Sequence, residues 1–162
     1  MKTIILFLLP ILITACDQSG SKVQQLHARV DSLQKEFNNS YKPGFGEFMS
    51  SIQVHHAKLW FAGINENWKL AEFEIHEIQE ALESIQKFNS DRPESKVIGM
   101  INPAMDSLSI AIKQQRQYVF KSSFILLTNT CNNCHKATKH EFNVVTIPAN
   151  PPIGNQSFKP VQ

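Results

Sequence analysis

The chain has little cysteine, little charge imbalance and no long apolar run, and each shortage removes a class of explanation. Of its 162 residues only 3 are cysteine. That is too few for a disulfide-stapled scaffold, and there is no second Cys pair for the usual zinc layouts. Lys and Arg number 16 against 14 Asp and Glu, so no basic face for nucleic acid is implied. The longest apolar run, Ile4 to Ile13, is too short to span a bilayer. Repeats, low-complexity tracts, a βαβ pattern, a phosphate loop and a nucleophile–base pair are all missing. Catalysis therefore has no positive support, and the expectation is a protein that is not an enzyme.

What is present begins with the leader. Lys2 precedes the short apolar run, the pattern of a secretory signal. It ends in Ile13-Thr14-Ala15-Cys16, which resembles the cleavage box of bacterial lipoproteins, with Cys16 as the lipidated first residue. The expected location is the bacterial cell envelope, facing the periplasm and anchored by lipid to the inner or outer membrane. The expected parts are a signal peptide over 1–15, an anchor and polar linker over 16–21 and an N-terminal helix over 22–42. A haem-binding helical bundle over 43–142 and a Pro-rich tail over 143–162 follow.

The second cysteine feature is Cys131-Asn132-Asn133-Cys134-His135. Cys-x-x-Cys-His is the attachment signature of a c-type haem: Cys131 and Cys134 would each form a thioether to a haem vinyl group. His135 would be the proximal iron ligand. The alternatives are a zinc site completed by a histidine such as His140, or a thioredoxin-like thiol pair. The count favours one covalent haem c, since one cysteine goes to lipid and two to haem. Leader and motif also imply the same compartment.

Between these features the periodicity is helical. Val23, Leu26, Val30, Leu33 and Phe37 alternate spacings of three and four, a heptad seam over about 22–38. It is either a short stalk pairing two chains, giving a homodimer, or a helix packed on its own domain. A second helix is expected from Phe45 to Ala62, stopped by Gly63. Its stripe is Phe45, Phe48, Met49, Ile52, Leu59 and Trp60, with His56 at the centre and His55 at the edge. A third, capped near Asn67, spans Trp68 to Phe88 with Leu70, Phe73, Ile78, Ala81, Leu82, Ile85 and Phe88 inward. Glu74 projects from that stripe and should have a partner, because an unpaired buried carboxylate is costly. Asn102-Pro103 reads as an N-cap and first helical position for a fourth helix. The last, about 117–138, sets Phe120, Phe124, Leu127, Cys131 and Cys134 on one face. Phe142, Val144, Val145, Ile147, Ile153 and Phe158 in and around the tail need cover. The fold expected is all-α: a four-helix bundle with an extra N-terminal helix and a C-terminal Pro-rich irregular tail.

Four amphipathic helices with the motif on the last resemble the helical-bundle c-type cytochromes, of which cytochrome c-prime is the familiar member. More narrowly, the chain looks like a group of bacterial monohaem cytochrome-c-like lipoproteins. The matching stretches are His56 to Gly63, Asn67-Trp68 with Leu70-Ala71, Cys131 to His135, and Asn155 to Phe158. The resemblance implies a membrane-anchored electron carrier serving an unidentified redox partner, or else a small-gas-binding haem protein. The N-terminal helix and the tail have no counterpart in cytochrome c-prime, which weighs against its open gas-binding face. Met49, His55, His56, Met100, Met105 and His140 are the candidates for the sixth iron position. The expectation is bis-histidine ligation by His135 and His56, with Glu74 orienting the second ring nitrogen of His56. A vacant site comes next, then Met49.

Overall fold

The computed structural model describes residues 15–40 and 42–161. The expected signal peptide, but for Ala15, lies outside them, as does the side chain of Cys16. The described residues are helical, with no strand among them, and none of their helices is long and apolar enough to cross a membrane. The chain divides into two units, Met1–Lys42 and Pro43–Gln162.

The described residues of the first unit hold one helix, α1 (Ala15–Asn39). It runs straight through the residues read as a linker. Its seam residues Val23, Leu26, Val30, Leu33 and Phe37 are all solvent-exposed.

The second unit contains α2 (Phe45–Ile64), α3 (Trp68–Phe88), the short α4 (Pro93–Val97), a 3-10 turn over Ile98–Ile101, α5 (Asn102–Lys113) and α6 (Gln117–Ala137). Helix α2 packs along α3 and α5 along α6, while α3 meets α5 and α2 meets α6. Leu59, Ile78, Ile85, Leu108, Phe120, Phe124 and Leu127 are the fully covered apolar centre.

Four details depart from the sequence pattern. Gly63 lies inside α2, because a side chain there would collide with the ring of Phe120 on α6. Gly63 is therefore a point of close approach and not a stop. The buried face of α3 is turned toward Ala71 and Ile75, leaving Phe73 half exposed and Phe88 at the boundary of exposure. Asn102 caps nothing, since the chain enters α5 from the 3-10 turn already in helical conformation. In the tail, Phe158 is buried against Phe61 and Lys159 accepts a hydrogen bond from Asn67, but Phe142 and Val144 stay exposed.

Three helices end in the same way without glycine. Glu66, Gln115 and Lys139 take positive φ of 58°, 53° and 62°. The next amide reaches back to Ala62, Ala111 and His135 respectively, the long hydrogen bond of a Schellman turn. The third of these turns follows directly on the cysteine motif.

Candidate cofactor site

Cys131, Cys134 and His135 line one wall of a cavity of about 350 Å³, within the range of small-molecule and cofactor sites. Phe45, Met49, Ile52 and His56 of α2 form the facing wall. Leu82, Ile98 and Ile101 close the apolar side, and Arg92, Glu94, His140 and Asn143 form a polar end. A second cleft of about 440 Å³ between α3 and α5 is lined by Lys69, Phe73, His76 and Lys113, among others, and carries no thiol.

The turn at Lys139 sends the chain back over the last turn of α6. His140 N–H closes on the His135 carbonyl at 2.7 Å. Asn132, between the two cysteines, then brackets Val145: its amide donates to the Val145 carbonyl, and its oxygen accepts from the Val145 amide, both at 2.8 Å. The returning strap presents the Asn143 carbonyl 2.6 Å from His135 Nδ1. A carbonyl can only accept, so Nδ1 carries the proton, and in the neutral ring Nε2 is the nitrogen that keeps the lone pair. A metal-binding histidine is commonly held in this way.

Both thiols are held in the protonated form. Burial, with a contribution from Cys134, pushes the Cys131 thiol up to about 12. Burial and the carboxylate of Glu94 raise Cys134. Reactive cysteines sit where the thiolate is favoured, which is the opposite setting. Among the described residues, no three of His, Cys, Asp and Glu are gathered to hold a metal ion. Glu94 itself is gripped by both Nε and NH2 of Arg92, at 3.2 and 3.0 Å, and this holds its carboxyl below the usual range.

On the facing wall His56 is buried and its ring packs on Phe124 with centroids 4.4 Å apart. Its Nε2 lies 2.9 Å from Thr128 Oγ1. The Thr128 hydroxyl spends its one proton on the Phe124 carbonyl, also at 2.9 Å. Nε2 must therefore be the donor, and Nδ1 is unprotonated. Burial lowers the imidazole to about 4, so the ring is neutral near pH 7.

The partner of Glu74 is thus not His56. Glu74 is fully buried and accepts from His55 Nδ1 at 2.7 Å, while Lys58 Nζ stands 3.3 Å from its other oxygen without hydrogen-bond geometry. His55 and His56 diverge by about 100° around α2, one toward α3 and one toward α6. Thr128 takes the orienting role expected of Glu74. Of the six candidates for the sixth position, Met49, His56 and His140 line the cavity. His55 is held by Glu74, Met100 is exposed, and Met105 is buried in the core.

No family model matches the chain, and neither the curated proteins nor the solved structures contain a match.

Sequence reasoning missed Thr128, Asn132 and Asn143. Threonine and asparagine carry no signal of their own in a helix or tail. Only the Lys139 turn brings Asn143 back to His135.

Proposed function

We propose that the chain is a lipid-anchored, monohaem c-type cytochrome that transfers electrons in the bacterial envelope to an unidentified redox partner. The observation that carries this reading is the free Nε2 of His135, fixed beside two neutral thiols on the wall of a largely apolar cavity. That donor set suits haem c. Cys131 and Cys134 would hold it, each S–H adding across a vinyl group so that sulfur bonds one carbon and hydrogen the other. His135 would be the proximal ligand. Bound haem supplies one-electron exchange between ferric and ferrous iron. The chain's part is to exclude water with Phe45, Ile52, Leu82, Ile98 and Ile101 and to fix the ligand imidazole through Asn143. Helices α2, α3, α5 and α6 are on this reading a four-helix bundle, α1 the extra N-terminal helix, and 143–162 a strap. Cys16 is the lipid-bearing residue.

His56 is the proposed sixth ligand, and the nitrogen it offers is Nδ1. A second reading, a haem protein that keeps the sixth position open for a small ligand, is favoured by the same observation. Nδ1 is crowded by the adjacent Cβ, and the less hindered Nε2 is already committed to Thr128. A zinc module on Cys131, Cys134 and His140 has the weakest support, given the lack of a three-ligand cluster among the described residues.

Protein matured in a haem-ligating host should stain for haem peroxidase at its own mass on a denaturing gel, and Cys131→Ala should weaken or abolish the stain. Colour lost on denaturation of the wild type overturns covalent attachment. Low-spin iron that becomes high-spin and binds carbon monoxide in His56→Ala supports the bis-histidine reading. A wild type already high-spin and binding carbon monoxide selects the open site.

A further inference from the structure

The apolar seam of α1 has no place in the cofactor chemistry, yet five apolar side chains, each between 54 and 65 % exposed, run in one line along it. Their spacing of three and four repeats every 3.5 residues. A straight α-helix drifts off such a line, and the line stays in register only if the helix supercoils with a partner of the same repeat. A membrane surface imposes no such period. Interfacial helices carry a wide apolar face and a Lys/Arg-rich polar face. Here the stripe is narrow, and Lys22, Arg29 and Lys35 are interleaved with Asp31 and Glu36.

We infer that α1 pairs with α1 of a second copy of this chain as a parallel two-stranded coiled coil. The core identities carry the strand number. Val23, Val30 and Phe37 fall at the a positions and Leu26 and Leu33 at the d positions, and β-branched valine at two of the three a positions with leucine at d favours two strands when the coil is parallel. The flanking charges leave direction open. Parallel strands meet no like-charge pair, whereas antiparallel strands would set two Lys22–Glu36 attractions against an Arg29–Arg29 contact. Chain polarity selects the parallel arrangement. If Cys16 bears lipid, as proposed above, two parallel helices enter one membrane side by side. Antiparallel helices of 25 residues would hold their anchors roughly 35 Å apart. The seam is only a little over two heptads long, so a shared membrane surface would add effective concentration to a weak pair.

The test is disulfide capture in the mature lipidated protein reconstituted in phosphatidylcholine vesicles, with the wild-type chain as the baseline. In a parallel coil Leu26→Cys meets its own copy across the d layer and gives a dimer band on mild oxidation. Ala28→Cys, on the outer face, gives none above baseline. Capture only in mixtures of Leu26→Cys with Val30→Cys overturns the parallel arrangement. No capture in any combination overturns the pairing altogether, and slow labelling of Leu26→Cys by a maleimide then shows that the seam is covered by its own chain or by lipid. Leu26→Asp with Leu33→Asp should make the detergent-solubilised protein monomeric by sedimentation while its haem content is unchanged. Haem stain and oligomeric state are separate readouts, so failure of the pairing is distinguishable from failure of the haem assignment.

Discussion

Gly63→Ala should destabilise the protein, although the same exchange in an ordinary helix stabilises it by about 1 kcal/mol. The added methyl would fall closer than 3.0 Å to three carbons of the Phe120 ring, where ordinary carbon contacts need about 3.5–4.0 Å. Phe120 has nowhere to go. It is fully buried and boxed in by Trp60, Trp68 and Phe124, with ring centroids 6.4, 6.0 and 6.0 Å away. Overpacking of this kind costs about 1–3 kcal/mol and sometimes more. Taken at the upper end and reduced by the propensity gain, the net loss is about 2 kcal/mol. For a unit of this size that is a fall in Tm of about 6–10 °C. Urea denaturation and thermal melts measure it, with Gly46→Ala as the contrast. Gly46 is also in α2, but its added methyl meets nothing within 4 Å, so that variant should be neutral or slightly stabilising. Phe120→Leu in the Gly63→Ala background should recover part of the loss, a coupling that a double-mutant cycle resolves. A Gly63→Ala protein as stable as wild type would refute the claim that helix α2 touches α6 at this point. It would also remove the reason for the cavity wall to stand where it does.

Thr128→Val should cost about 1–3 kcal/mol in urea titrations, because it strands the buried Nε2–H of His56, while Thr128→Ser should lose less than 1 kcal/mol. Acid should weaken the fold through the same ring. Between pH 6.5 and 4 the unfolded chain binds a proton at His56 that the folded chain, held at about 4, does not. Stability therefore falls as pH drops through that window, by up to about 3 kcal/mol; His56→Gln should flatten the slope in urea midpoints taken across it. Gln115→Gly should raise stability by about 0.5–1 kcal/mol in thermal melts, since glutamine there pays the left-handed strain that glycine avoids.

The order of helices was legible because their signals are long. The stripes of α3 and α6 and the break at 113–117 stand in the sequence as periodicity and its loss, and the structure has α3 at Trp68–Phe88 as read. What was illegible was decided at single contacts between distant residues. Gly63 looks like a helix stop locally, and only Phe120, far along the chain, makes it a contact point. Glu74 was correctly read as needing a partner. Choosing between the adjacent His55 and His56 required the rotation of α2 about its own axis, to which a one-residue shift adds about 100°. The face of α3 was misjudged for a related reason. Phe73 is the larger hydrophobe, but the small Ala71 suits a close helix contact, so the helix turns and Phe73 is left half in solvent.

The same limit explains why the surroundings of His135 were not legible in the sequence. Cys-x-x-Cys-His singles out His135, yet a bare imidazole at the end of a helix has two nitrogens and several orientations. What selects one is the helix end itself. Lys139 accepts a left-handed conformation, the His140 amide closes on the His135 carbonyl, and the chain is returned within eight residues to set the Asn143 carbonyl against Nδ1. Asn132 then ties down Val145 with two hydrogen bonds, so the strap that orients His135 is fastened between Cys131 and Cys134. His135, the two thiols and the Asn143 carbonyl therefore belong to one hydrogen-bonded turn. On the facing wall Thr128 fixes His56 from within α6 as well. A single helix and its return strap thus set the orientation of both imidazoles, and a change in the end of α6 should be felt on both sides of the cavity at once.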